Sequence, residues 1–211
     1  MSTEYIFYSG GFDTTAYLLD CLISRKTIVQ PIVVKVPFID GKEKKRKSAY
    51  QEQVSRNNFY SKFKDLYPNL KSNLLNEMVF DNVILDEDTL KLGKEAYRKG
   101  YFSREINQLL YFHQISKNND IEGVVGYVKE DVKLPEIWEF FKNNFRFKTP
   151  MQHYSKEYLL ERAKEYEYDN FLYETWSCWN PQPNNVPCGE CALCRITIVD
   201  TQLKFKKTSL L

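Results

Sequence analysis

The sequence predicts an α/β fold, a parallel sheet with helices on both faces, followed by a small cysteine-rich segment. Three observations carry this expectation. Short β-branched and aromatic runs alternate with helix-periodic stretches over most of the chain. The first strand–helix junction is a Ser-Gly-Gly turn at Ser9–Gly11. After Trp176 the texture changes abruptly, and Pro, Asn and Cys dominate. Two units are therefore expected, an α/β domain over 1–170 and a four-cysteine segment over 171–211 packed against it.

Taken in order, Tyr5–Tyr8 is a strand candidate, and Thr14–Ser24 carries Ala16, Leu19, Leu22 and Ile23 at helical spacing. Thr27–Val36 is β-branched and reads as a second strand, with Pro31 marking an irregularity because it lacks an N–H. Lys44–Leu66 is expected to be helical and to stop near Pro68. Val79–Leu85 is a third strand candidate, and Ser103–Ser116 presents Ile106, Leu109, Leu110 and Phe112 as a stripe. Ile121–Val128 reads as a strand entering a glycine-containing loop. Leu134–Asn143 and Ser155–Tyr166 read as helices, the second capped by Ser155, with Phe145–Thr149 a strand between them. In such sheets ligands bind beyond the C-terminal ends of the strands, where the turn Ser9–Asp13 falls.

The chain has 211 residues, 43% of them hydrophobic and 15% aromatic, enough for a sizeable core. Thirty basic residues against 28 acidic leave a net charge of +2, so bulk charge gives no argument for nucleic acid or membrane. The local basic run Lys42–Lys47 is read as a solvated loop or helix start. No secretory apolar region or membrane-length apolar stretch is found, and a cytoplasmic chain is expected.

The string Ser9–Thr15 (SGGFDTT) joins a strand to a helix and makes a coherent anion site. Glycines let backbone approach a phosphate and adopt positive φ, and the first helical N–H groups have no intrahelical partner. The hydroxyls of Ser9, Thr14 and Thr15 add donors. Asp13 is the odd member, because a carboxylate repels phosphate. It fits if it caps the helix or helps to hold Mg²⁺. No G-x-x-x-x-G-K-[ST] string is present, so the loop is not a Walker A loop.

Four of the five cysteines form Cys178-x9-Cys188-x2-Cys191-x2-Cys194. Four thiolates suit a closed, tetrahedral, structural Zn²⁺ site, with Gly189 in the tight knuckle. An iron–sulfur cluster and redox-active C-x-x-C pairs are the alternatives. Cys21 lies among Tyr17, Leu18 and Leu22 and is read as a small buried apolar residue.

The S-G-G-x-D-[ST]-T string resembles the pyrophosphate-loop ATPases, which cleave ATP between its α- and β-phosphates to adenylate an oxygen. Within them, the lead-in Glu174–Cys178, the knuckle Cys188–Cys194 and Arg195 are similar to the C-terminus of the 7-cyano-7-deazaguanine synthase (QueC) family. Lys148-Thr149-Pro150 with Ser155-Lys156-Glu157 resembles its Thr-Pro and helix-start segment, and Gly126–Asp131 its loop after the fourth strand. The resemblance runs from Tyr5 to about Arg195, is diffuse through Lys42–Tyr101, and implies an adenine-nucleotide-α-hydrolase-like fold.

It further implies a nucleotide site at Tyr8, Ser9, Gly10, Gly11, Phe12, Asp13, Thr14, Thr15 and Gly126. Asp13, Thr14 and Arg104 are implied as catalytic, the last answering the family's Gly-Arg-Asn element, and Asp131 and Trp176 as substrate-binding. Metal ligands are implied at Cys178, Cys188, Cys191 and Cys194, and the cofactors are ATP, Mg²⁺ and Zn²⁺. The implied partners are a 7-carboxy-7-deazaguanine-type acid and ammonia, with a macromolecular amine as a further acceptor and a homodimer as the assembly. One departure stands out: only Val132, Lys133 and Leu134 separate Asp131 from Pro135-Glu136, where the family carries a longer segment.

In this chemistry a carboxylate is adenylated, attacked by ammonia to give an amide, then activated again and dehydrated to a nitrile. No side-chain nucleophile is required, so Cys21, His113 and His153 are assigned no catalytic role. Trp176 and Trp179 are read as covers of the zinc knuckle or as a pocket wall. Three rival readings remain: a ligase that stops at an amide or couples the acid to a macromolecular amine, a tRNA thiolase, and a non-enzymatic zinc-knuckle nucleic-acid-binding module. Thiolation needs spare cysteines, and only Cys21 lies outside the metal set. A binding module needs local cations, yet none lies between Cys178 and Cys194. Replacing Asp13 or Thr14 is expected to abolish ATP turnover with the fold and zinc content intact.

Overall fold

A computed structural model describes residues 3–35, 47–101, 104–131, 135–191 and 193–195. Five parallel strands form one sheet: β1 (Thr3–Phe7), β2 (Ile28–Val34), β3 (Met78–Phe80), β4 (Gly123–Val124) and β5 (Phe147–Lys148). Every pairing is parallel, as the alternating sequence pattern predicts, and the spatial order is β3-β2-β1-β4-β5. Parallel strands need crossovers, and helices supply them on both faces. The order of the strands reverses between β1 and β4, the switch point at which a crevice opens beyond their C-terminal ends.

Two apolar clusters flank the sheet, because successive strand residues point to opposite faces. On one side Ile6 and Val29 meet α1 (Phe12–Leu19), α2 (Ala49–Leu66), α6 (Lys156–Glu165) and α7 (Asp169–Leu172) through Leu18, Phe59, Phe63, Leu159 and Phe171. On the other, Phe7 and Ile32 meet α3 (Glu87–Arg98), α4 (Arg104–Asn118) and α5 (Pro135–Asn144) through Ala96, Leu109, Phe112, Ile115 and Phe140. Phe7 stacks on Phe112 with ring centroids 4.2 Å apart. Gly123 makes room for that ring, since a Cβ there would lie 2.3 Å from Phe7 Cε2. Among the described residues no helix is long and apolar enough to cross a membrane.

Several elements differ from the pattern reading. Helix α1 gives way to a π-helical turn at Asp20–Ser24. The irregularity expected at Pro31 falls in the neighbouring chain, because β2 keeps unbroken register from Thr3↔Ile28 to Phe7↔Ile32. The Ile32 carbonyl accepts from the N–H of Tyr8, just past β1, which turns Pro31 toward the β3 side, where it has no N–H to give. Residues between Leu74 and Met78 leave the ladder there, and the Gln30 side-chain amide donates to the Asn76 carbonyl at 2.6 Å instead.

β3 is three residues long and ends before a turn at Asn82, φ 54°, so it is shorter than the Val79–Leu85 run suggests. Helix α3 is not foreshadowed by the pattern reading. Its N-cap Asp86 accepts from Thr89 N–H, and Gly93 lets it close on α4, a Cβ there coming 2.7 Å from Leu110 Cδ1. Most of the basic run Lys42–Lys47 lies outside the described residues, as do Val132–Leu134.

Candidate active site and metal centre

The candidate anion site is built where β1 runs into α1. Gly10 has φ +83°, a conformation that costs other residues dearly, and its Cα faces the Glu52 carbonyl and the Arg56 stem of α2. The Gly10 carbonyl is held from two directions, by the Ser55 hydroxyl at 3.0 Å and the Trp176 N–H at 3.0 Å. The first intrahelical bond of α1 runs from Thr15 N–H to the Gly11 carbonyl. The N–H groups of Phe12, Asp13 and Thr14 therefore precede it and point out of the helix start.

The hydroxyls divide. Ser9 Oγ accepts from Gly11 N–H and lines the cleft, as does Thr14, whose hydroxyl reaches the Gly11 carbonyl at 3.3 Å. Thr15 is buried, and its hydroxyl bonds the Gly11 carbonyl at 2.7 Å and approaches Tyr8 Oη at 3.4 Å. It braces the turn from inside and, like Gly10, does not line the cleft.

The cleft holds about 1060 Å³ of non-atom space, its solvent-open mouth included. It brings together Tyr8, Ser9, Gly11, Phe12, Asp13, Thr14 and Gly126 of the expected nucleotide set with Asp131 and Trp176 of the expected substrate set. Arg104 starts α4, and its side chain lies outside the described residues. His113 and His153 do not line the cleft. The His113 Nδ1 accepts from Arg146 N–H at 2.9 Å, and burial lowers its pKa.

Gly126 acts through closeness. A Cβ on it would stand 2.4 Å from Thr14 Cγ2 and 2.9 Å from both Thr14 N and Cα. Two of those atoms are backbone and cannot swing aside. Gly126→Ala should therefore displace the first turn of α1 and weaken ATP binding by about tenfold or more. Equilibrium dialysis with ATP measures this, and unchanged affinity would show that the turn tolerates the shift.

Asp13 has a partner that spacing along the chain could not reveal. Lys156 Nζ donates to both Asp13 oxygens, at 2.7 and 2.6 Å, with the Lys156 side chain 3% exposed. Burial alone would lower the Lys156 pKa, but the carboxylates of Asp13, Asp131 and Glu130 hold it above its ordinary value. The ammonium thus stays charged and neutralises Asp13 beside the anion site. Asp131 Oδ2 in turn accepts from Val128 N–H at 2.9 Å, closing the turn that follows β4.

Helix α2 contributes two residues that carry no site signal in the sequence: Glu52 and Arg56, one turn apart, both line the cleft. Arg56 Nε donates to Glu77 Oε1 at 2.8 Å. The local sequence around them is polar and aromatic without a motif, which is why neither stood out.

The four cysteine sulfurs all lie within 4.8 Å of one another, with Cys178–Cys188 at 3.5 Å and Cys188–Cys194 at 3.9 Å. A tetrahedron with metal–sulfur bonds of about 2.3 Å has edges of about 3.8 Å, so the set fits one ion. N–H groups of Glu190 and Cys191 outweigh the opposite pull of burial and hold Cys188 down at about 7. Burial pushes Cys178 and Cys194 up. Cys21 is fully buried, and burial pushes its thiol to about 12, which keeps it protonated and inert.

The cysteine cluster and the cleft share a wall. Trp176, Ser177, Trp179 and Leu193 face the cleft, while Trp176 Nε1 donates to the Cys178 carbonyl at 2.8 Å. The same segment is tied to α2 by Gln51 to Asn185 at 2.7 Å and Ser55 to the Glu174 carbonyl at 3.2 Å.

Residues 5–198 match the family model described as Queuosine biosynthesis protein QueC. No curated protein matches the chain.

Proposed function

The chain belongs to the queuosine biosynthesis protein QueC family, and on that premise we propose how its cleft carries out that family's ATP-dependent, nitrile-forming reaction on a deazaguanine. The observation that carries the assignment of residues is the meeting of the Ser9–Thr14 turn, Asp131 and Trp176 in one cleft at the sheet's switch point. The N–H groups of Phe12, Asp13 and Thr14 with the Ser9 and Thr14 hydroxyls form a fixed set of donors for phosphate oxygens. Such donors strengthen as charge develops on the departing pyrophosphate and need no reorganisation.

Asp13 sits beside these donors without repelling the nucleotide, because the Lys156 ammonium cancels its charge. Each Asp13 oxygen keeps lone-pair capacity beyond its bond from Lys156, so Asp13 is the carboxylate that would hold Mg²⁺ here. Mg²⁺ supplies charge neutralisation on the phosphates. ATP adenylates the substrate carboxylate, replacing an unworkable leaving group by AMP. Ammonia then displaces AMP to give the amide, and a second activation followed by dehydration gives the nitrile.

Trp176 and Trp179 offer flat apolar walls to a purine-like ring, and Asp131 an acceptor for its ring or exocyclic N–H groups. The fit of four sulfurs to one tetrahedral ion supports Zn²⁺ held by Cys178, Cys188, Cys191 and Cys194, with a structural role. The described part of the segment 171–211 is then a zinc-bearing wall of the 1–170 ATP-binding domain.

Mass spectrometry of products after incubation with ATP, 7-carboxy-7-deazaguanine and ammonia tests the reading. The expected products are the 7-cyano base, AMP and pyrophosphate. Accumulation of the amide alone would overturn nitrile formation by this chain, and the absence of AMP would overturn the adenylation.

A further inference from the structure

Arg56 is a second cation at the anion site, and nothing in the family's string of loop residues includes it. It projects from the middle of α2, with its stem against the turn: a Cβ on Gly10 would stand 3.1 Å from Arg56 Cγ. The residue is 8% exposed, yet it lines the cleft. Its guanidinium uses Nε on Glu77, a carboxylate from the chain just before β3. Among the described residues Nη1 and Nη2 make no hydrogen bond. Neither nitrogen is sealed in protein, and the residue lines the cleft.

A guanidinium fixed at Nε by a carboxylate and open at both terminal nitrogens is a preorganised receptor for two oxygens of a phosphate. Glu77 fixes its plane and limits the entropy lost on binding. Lys156 offers less, since two of its three N–H donors go to the oxygens of Asp13 and a point charge has no planar fork. The loop therefore stands between two largely buried ion pairs, Lys156–Asp13 and Arg56–Glu77; the ammonium has one N–H left over and the guanidinium a two-nitrogen fork.

We propose that Arg56 binds the pyrophosphate portion of ATP, holding its β- and γ-phosphates during adenylation and the released pyrophosphate afterwards. This rests on the Ser9–Thr14 turn being the phosphate site. Placement of the Arg56 stem against Gly10 puts it beside the phosphate turn, whereas the acid substrate's expected contacts are its ring on Trp176 and its N–H groups on Asp131. Glu52, one turn earlier on the same helix, has its carboxylate engaged by the Ser48 hydroxyl at 2.7 Å.

Calorimetric titration of the zinc-loaded full chain with inorganic pyrophosphate, and separately with AMP, tests the proposal. Arg56→Ala with Glu77→Gln removes both charges together, so that no unpaired, half-buried carboxylate confounds the result, and Arg56→Lys retains the charge. Pyrophosphate should bind the double variant about tenfold more weakly or worse, with AMP affinity within about twofold of the parent. Arg56→Lys should fall between, having charge but no fork. Equal pyrophosphate affinity in parent and double variant would overturn the role of Arg56 while leaving the loop reading intact. Parallel weakening of AMP and pyrophosphate would reduce Arg56 to a structural residue. A parent chain that binds no pyrophosphate would remove the loop reading as well.

Discussion

Asp13→Ala will lose ATP-dependent AMP release by about a hundredfold or more, and it will also lose stability. The sequence alone leads to a different expectation, an inactive chain with its fold intact. Burial of Lys156 changes that. With Asp13 gone, an ammonium 3% exposed keeps only the more distant Asp131 and Glu130 as compensation. Breaking a buried pair by removing one partner costs about 3–5 kcal/mol. For a chain of this size that lowers the Tm by roughly 6–20 °C.

The two losses can be separated. Asp13→Asn combined with Lys156→Met removes both charges at similar volume, so it should recover most of the Tm while remaining inactive. Thermal unfolding and AMP release on the same preparations read both effects. A stable, active Asp13→Ala chain would sink the placement of the phosphates and the energetic reading of the pair together. Lys156 also sets a pH limit. Its pKa is raised in the folded chain, so its contribution is complete below the unfolded lysine value and is lost as pH climbs through the folded one. The pair therefore weakens only in strong alkali.

Removing the metal is the second large effect. Binding free energy at a structural zinc site is folding free energy, about 10–16 kcal/mol in small zinc peptides. Elemental analysis should find one Zn²⁺ per chain, and Cys191→Ser or chelation should remove it. Even a net loss of ~3 kcal/mol would lower the Tm by roughly 6–12 °C. The shared wall adds a consequence that an isolated knuckle would not have. Trp176 N–H holds the Gly10 carbonyl, and Trp176, Ser177, Trp179 and Leu193 face the cleft. Chelated chain kept below its lowered Tm should therefore bind ATP more weakly. Undiminished ATP affinity after complete metal loss would show that the wall stands without the ion, and absence of metal from the native chain would end the knuckle reading.

Much of the fold was legible because its signals are local. β-branched runs at Ile28–Val34, the cap at Ser155 and the loop string at Ser9–Thr15 each depend on neighbours a few residues away. Helix α3 escaped because its stripe is interrupted by Gly93 and its composition is polar. The glycine has a reason only in the approach of Leu110. The β4 run looks longer in sequence than Gly123–Val124, because the apolar residues after it turn away to line the cleft rather than extend the strand. Arg104 marks the other boundary, a site residue expected from resemblance whose side chain lies outside the described residues.

By itself the sequence determined the alternation of strands and helices, the glycine turn that needs positive φ, and the four thiolates at metal spacing. Those are properties of short windows, set by backbone sterics, helix periodicity and ligand count. Only the tertiary structure decided which charges face one another. Lys156 is 143 residues from Asp13, and Arg56 reaches Glu77 across 21. Coulomb energy and desolvation depend on distance and burial in space, neither of which is written in the spacing of residues along the chain. The Ser9–Thr15 string marks the proposed phosphate turn, and the folding of α2 and α6 onto it decides which cations stand beside it.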